Sequence, residues 1–279
     1  MPSSAQQARR AFGNRLREIR LDAGLSGREL AAAIGIHFTK VSRAEHGNQV
    51  PTDGELRAWC EVCGVADQAA SLITQARAAD SLYREWRKQA RAGLRRLQED
   101  IGPLYERTLL FRVHEHWSIP GLLQTARYSL ESMAYWAQLL DLPDDREAAT
   151  EARLARQRVL QDGKHRFTFL LAEQALRTRV GSVEIMAEQL DHVLAAMSLP
   201  NVWIGIIPAG AGLGAHTQTA FWIFDDQLVK VETLTAALDI IRAEEIQIYL
   251  AVFEQMRRAA EFEEGARRLI IRARDELLQ

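Results

Sequence analysis

Cysteine is scarce: Cys60 and Cys63 are the only two in 279 residues. One such pair gives no disulfide framework, which points to a reducing, cytoplasmic setting. Long apolar runs are also missing. No stretch approaches the roughly twenty apolar residues that a bilayer crossing needs, so no membrane association is expected. The start, MPSSAQQARRAFGNR, has no apolar centre and does not read as a secretory signal. Internal repeats and low-complexity tracts are absent too. What is present, 47% hydrophobic and 26% charged residues, is ordinary for globular protein, and the length suits two domains.

The formal net charge of −2 conceals a split. Residues 1–97 carry sixteen Lys/Arg against ten Asp/Glu, whereas residues 98–279 carry nineteen against twenty-seven. A part that attracts polyanions is joined to a larger part that repels them. Solvated helix faces produce such imbalance as well, so charge alone does not decide for nucleic acid.

Periodicity resolves the basic part into short helices. Phe12, Leu16, Ile19 and Ala23 fall on one helix face, which Gly24 ends. Ser26-Gly27-Arg28-Glu29 has the form of a capping box before a second short helix with Leu30, Ala31 and Ile34 inside. Gly35 ends that helix, and a third covers about 38–45, with Gly47 suited to a left-handed turn and Pro51 barring continuation. A fourth, roughly 53–63, buries Leu56, Trp59, Cys60 and Cys63, and a fifth spans roughly 67–78. The Cys60-Glu-Val-Cys63 spacing has no second pair to complete a zinc site, so both thiols read as core.

Five short helices with a tight glycine turn between the second and third make a helix-turn-helix unit. The stretch GLSGRELAAAIGIHFTKVSRAEHGNQVPT resembles the XRE-type helix-turn-helix of phage repressors and many bacterial regulators. Leu25, Leu30-Ala31, Gly35, Val41-Ser42-Arg43, Glu45, Gly47 and Pro51 carry the likeness. It implies a third helix in the major groove, with Phe38, Thr39 and Arg43 facing base edges. Arg43 suits guanine, Thr39 offers a hydroxyl or a methyl contact, and Phe38 suits a thymine methyl. Ser26, Gly27, Arg28, Lys40, Ser42, His46 and Asn48 are implied phosphate contacts. Arg20 and Glu45 are implied as an ion pair inside the unit. Two positions depart from the family habit: Gly27 stands where Gln is common, and His37-Phe38 where Ser or Gln is. His37 is still able to cap the helix through its imidazole. Whether Phe38 reads DNA or fills core is left open by the sequence.

Beyond residue 77 the chain changes character. Residues 77–97 hold seven Arg/Lys and two acids and read as a basic connecting helix, either plainly solvated or adding grip on phosphate. RFTFLLA (166–172), VWIGIIP (202–208), TAFWIFDD (219–226) and LVKVET (228–233) read as strands, with a helix over 183–198 and a hairpin turn at Asp225-Asp226-Gln227. Helices over 146–160, 243–262 and 265–278 complete the pattern. The fold class expected is mainly α with an α+β C-terminal domain, a small sheet flanked by helices. The boundaries expected are 1–76 for the helix-turn-helix domain, 77–112 for the connecting region and 113–279 for a domain serving regulation, dimerisation and partner binding.

That second part also carries a resemblance, through YREWRKQARAGLRRLQE, SIPGLLQTARY, ARLARQRVL, AEQALRTRVGSVEIMAEQLDHVL and PNVWIGIIPAGAGLGAHTQTAFWIFD. These are similar to the large C-terminal domain beside XRE units in actinobacterial, WhiJ-like regulators. The resemblance implies a cytoplasmic transcriptional regulator, usually a repressor, on double-stranded DNA with a palindromic operator. It also implies a small partner protein encoded nearby, in pairs described as toxin–antitoxin-like; a homodimer is expected because one short reading helix specifies few base pairs and two-fold pairing on a palindrome multiplies them. An antitoxin-like binder and a small-molecule sensor are the other two readings. No catalytic set, metal or cofactor is expected: His114 and His116 lack further ligands, and Glu173 and Glu232 make no convincing carboxylate pair. PAGAGLGAHTQT (208–219) lacks the Gly-Lys-Ser/Thr ending of a phosphate cradle. Gly210, Gly212, Gly214 and His216 are candidates for a ligand or partner loop, with a plain surface loop as the other reading.

Overall fold

The computed structural model describes residues 4–81, 83–85, 93–233 and 236–279. Contacts divide the chain into two compact units, residues 1–84 with 238–242 and residues 85–237 with 243–279. No helix among the described residues is long and apolar enough to cross a membrane.

The first unit holds α1 (Ser4–Asp22), α2 (Gly27–Ala33), α3 (Phe38–Glu45), α4 (Asp53–Val62) and α5 (Ala69–Ser81). Their starts follow from side-chain chemistry. Ser26 with Glu29 and Thr52 with Glu55 form reciprocal capping boxes that satisfy two orphan amides each. Their ends follow from glycine. Gly24, Gly35 and Gly47 adopt φ near +70°, where a side chain is strained. Phe12, Leu16, Ile19, Leu30, Val41, Leu56, Trp59 and Cys60 pack into one core, each large side chain contributing about 1.5–3 kcal/mol by burial. Burial pushes the thiols of both Cys60 and Cys63 up, which keeps them unreactive.

The basic connecting helix expected over 77–97 is not continuous. α5 stops at Ser81, a short strand β1 occupies Tyr83–Glu85, and the next helix covers Leu94–Asp100. Residues 86–92 of that expected helix lie outside the described residues. The helix at Leu94 starts afresh because Gly93 sits at φ +97° and Asp145 caps from elsewhere in the sequence, accepting from the amides of Leu94 and Arg95 at 3.0 Å each. A Cβ on residue 93 would stand 2.3 Å from that carboxylate, so only glycine admits the cap.

The second unit is built on a mixed sheet of β2 (Leu110–Glu115), β3 (Arg166–Ala172), β4 (Val202–Ile207), β5 (Phe221–Phe224) and β6 (Leu228–Glu232), in the order β6-β5-β2-β3-β4. β2, β3 and β4 run parallel, while β5 pairs antiparallel with both β2 and β6. Helix Val183–Ala196 makes the crossover from β3 to β4, and the β5–β6 hairpin turns at Asp225, with φ +51°. The central strand β2 is not among the four expected, because Arg112 and His114 interrupt its apolar run. Inside the sheet both are accommodated: Arg112 pairs with Asp226 at 2.8 Å, and His114 donates from Nδ1 to the Leu170 carbonyl at 3.0 Å. Burial lowers the His114 pKa to about 4, so it stays neutral as a core residue. Phe111, Phe167, Phe169, Leu171, Ile204 and Ile206 supply the sheet's share of the core.

Candidate nucleic-acid interface

α3 is set in place by α1. Arg20, nearly buried, donates from Nε and Nη2 to the two Glu45 oxygens at 2.5 and 2.8 Å, and from Nη1 to the Leu25 carbonyl at 2.7 Å. The bond to Glu45 raises the Arg20 pKa. The guanidinium thus joins α1, the loop before α2 and the end of α3. Gly13, in the middle of α1, allows the close approach: a Cβ there would stand 2.5 Å from the Ala44 carbonyl oxygen and 2.6 Å from that of Glu45. Apolar periodicity says nothing about such an approach, and the sequence reading passed Gly13 over. A second tie it missed is Lys40, whose amino group lies 2.5 Å from Glu55 of α4. That carboxylate also accepts from the Thr52 amide at 2.9 Å. Lys40 is therefore paired inside the unit, while its side chain stays 44% exposed.

The outer face of the turn and of α3 is made of Ser26, Arg28, His37, Phe38, Thr39, Arg43, His46 and Asn48, all exposed, with Gly27 and Ser42 half-buried. His37 caps α3: its Nδ1 accepts from the Thr39 amide at 3.3 Å and lies 2.8 Å from the Thr39 hydroxyl. Because that nitrogen accepts from the amide, the hydroxyl donates to it as well, leaving the Thr39 oxygen lone pairs and methyl available. Phe38 is 42% exposed. Its ring lies over Gly27, where a Cβ would come within 3.0 Å of Phe38 Cε2. The Arg28 guanidinium carbon stands 5.7 Å from the ring centroid, in cation–π range. The Arg43 side chain makes no hydrogen bond or ion pair with any described residue. His46 donates from Nδ1 to the Ser42 carbonyl at 2.7 Å, closing the helix end, and the Asn48 amide donates to the Arg43 carbonyl at 2.8 Å.

A helix-turn-helix domain profile matches residues 11–72, which contain this whole face. A second profile, described as a domain of unknown function (DUF5753), matches residues 106–272 and so more than half of the chain. The chain belongs to the DUF5753 family. Its helix-turn-helix domain makes it a DNA-binding regulator. No curated protein and no solved structure matches it.

In this DUF5753 protein the glycine-rich loop is a packed turn. Leu213–Ala215 form one turn of 3-10 helix, with Ala215 buried. A Cβ on Gly214 would stand 2.0 Å from the Gln255 amide nitrogen on helix Ala243–Ala259. Gly210 and Gly212 face open space, His216 is exposed, and Leu213 is 91% exposed. The Ala209 amide donates to Glu173 at 2.9 Å, which fixes the start of the loop on β3's neighbour and gives that carboxylate a structural role.

Proposed function

We propose that the DUF5753 protein is a dimeric, sequence-specific repressor that reads a palindromic operator through α3 of each subunit. The observation that carries this reading is Arg43, an exposed guanidinium one helical turn after Thr39 with no partner among the described residues. A free guanidinium at that place suits N7 and O6 of guanine. Phe38 gives an apolar contact to a thymine methyl, and Thr39 a second edge contact. Arg28, Ser42, His46, Asn48 and the first amides of α2, at Ser26 and Gly27, hold the backbone. Ser26 contributes less than the others, since its amide already donates to Glu29 at 2.7 Å.

One short helix specifies few base pairs, and two-fold pairing multiplies them. The larger unit serves dimerisation and responds to a small partner protein. Tyr135, Trp136 and Leu139 on helix Ala126–Leu140 support that role as an exposed apolar face. The test is fluorescence-anisotropy binding of the full chain to DNA upstream of its own gene, beside scrambled DNA, over a salt series. The reading expects preference for the native duplex and affinity that falls steeply with salt. Equal, weak binding to both duplexes at every salt concentration would count against it.

A further inference from the structure

His37 and Thr39, at the start of the reading helix, are tied to each other by more than the helix cap. His37 Nδ1 accepts from the Thr39 amide at 3.3 Å and lies 2.8 Å from the Thr39 hydroxyl oxygen. A neutral imidazole has one nitrogen with a lone pair and one with a proton. The amide points its hydrogen at Nδ1, so the proton sits on Nε2, which has no partner among the described residues. Nδ1 therefore has nothing to donate, and the shorter contact is a bond from the Thr39 hydroxyl to His37. The usual backbone alternative is missing. Thr74, Thr108 and Thr178 send their protons to the carbonyl four residues back, at 3.0, 2.7 and 3.0 Å. Four residues before Thr39 stands Gly35, which has φ +70° and lies outside α3.

A hydroxyl has one proton and two lone pairs. With the proton committed to His37, Thr39 Oγ1 presents only lone pairs to a partner from outside, and no described residue donates to it. Both side chains are exposed, so a base edge has access to that oxygen. In the major groove the base edges divide into two kinds. Guanine N7 and O6, adenine N7 and thymine O4 accept, whereas adenine N6 and cytosine N4 are amino groups that donate. An acceptor-only hydroxyl placed against N7, O6 or O4 sets lone pairs against lone pairs. It must forgo the contact or break the bond to His37, and each choice loses one hydrogen bond, about three- to tenfold in affinity. Placed against an amino group, it loses neither.

We propose that His37 is a positioning residue that makes Thr39 a pure acceptor, so that Thr39 reads the exocyclic amino group of an adenine or cytosine. The inference rests on the reading that places α3 in the major groove. Its test first selects a preferred duplex with the full chain and finds the base pair whose preference Thr39→Val loses. At that pair the amino group is deleted, with unsubstituted purine for adenine or pyrimidinone for cytosine. In a separate duplex the purine N7 is replaced by carbon. Amino deletion is expected to weaken the parent about three- to tenfold more than it weakens Thr39→Val, since poorer base pairing affects both proteins alike. Loss of N7 is expected to affect the two proteins equally. His37→Gly keeps a tolerated N-cap but removes the acceptor. It is expected to shrink that extra penalty below about twofold, because the freed hydroxyl turns its proton to a neighbouring acceptor. His37→Asn, with an acceptor oxygen at the cap, is expected to restore it. A cap with a structural role alone would weaken all duplexes alike and leave their ratios unchanged. A parent chain that enriches no duplex would remove the major-groove reading itself, and this inference with it. An enriched duplex in which Thr39 couples to N7, in which no base pair responds to Thr39→Val, or in which His37→Gly leaves the amino penalty intact would overturn the inference alone.

Discussion

Phe38 stands in the open on α3, and its nearest neighbour explains a second departure in the same motif. Its ring takes the space above Gly27 where a longer side chain would otherwise lie. Gly27 and Phe38 therefore belong together: one is small because the other is large. Gly27→Ala pushes only the edge of a ring that can swing, so stability is expected to stay within about 0.5 kcal/mol. DNA preference is expected to change, because the methyl displaces Phe38. Phe38→Ala is expected to relax preference at one A·T pair by about 1–3 kcal/mol, measured with thymine-to-uracil substituted duplexes. Unaltered discrimination in that variant would leave Phe38 as packing. The sequence showed both departures but not their link, since close approach between residues eleven apart leaves no periodic trace.

Glu115 makes the other prediction at this scale. Burial chiefly, with Glu232 adding and the Trp222 bond and Arg153 opposing, raises its pKa from 4.5 to about 7. The folded state then binds the proton more tightly than the unfolded state. Below about pH 4.5 both states are protonated and the group is neutral towards stability. As pH rises towards about 7 the chain is expected to lose stability at this site, by at most about 3 kcal/mol. Glu115→Gln is expected to flatten that part of the stability-against-pH curve in denaturant titrations; an unchanged slope would refute the assignment.

At the scale of elements, the packing of α1 against α3 decides whether the reading face exists. Arg20→Met leaves Glu45 buried without its partner and is expected to cost about 3–5 kcal/mol, lowering Tm as well as abolishing DNA binding. Circular dichroism on the same sample separates that outcome from a lost contact. Gly13→Ala improves helix propensity by about 1 kcal/mol, yet its methyl meets two backbone carbonyls. Net destabilisation is expected, and a more stable variant would contradict the close approach. Helix limits in this unit were legible because they depend on local chemistry: Ser26 and Thr52 cap within three residues, and Gly24, Gly35 and Gly47 stop what precedes them. β2 and the start of the helix at Leu94 were not. One depends on cross-strand partners for Arg112 and His114, and the other on Asp145, fifty-one positions away from Leu94.

For the whole molecule, the charge split fits a division of labour. The excess of Lys/Arg lies in residues 1–97, which include the helix-turn-helix, and the excess of acid lies in the rest, which is thereby kept from DNA. If the larger unit dimerises through Tyr135, Trp136 and Leu139, light scattering gives twice the 31.5 kDa chain mass, and Trp136→Glu returns the monomer. The most direct test of the central claim is selection of bound sequences from a random duplex library by the full chain, with Arg43→Ala in parallel. The account predicts an enriched, two-fold symmetric site with a guanine in each half, and loss of preference at that guanine in the variant. A parent chain that enriches no sequence, or a variant that selects the same guanine, would contradict it.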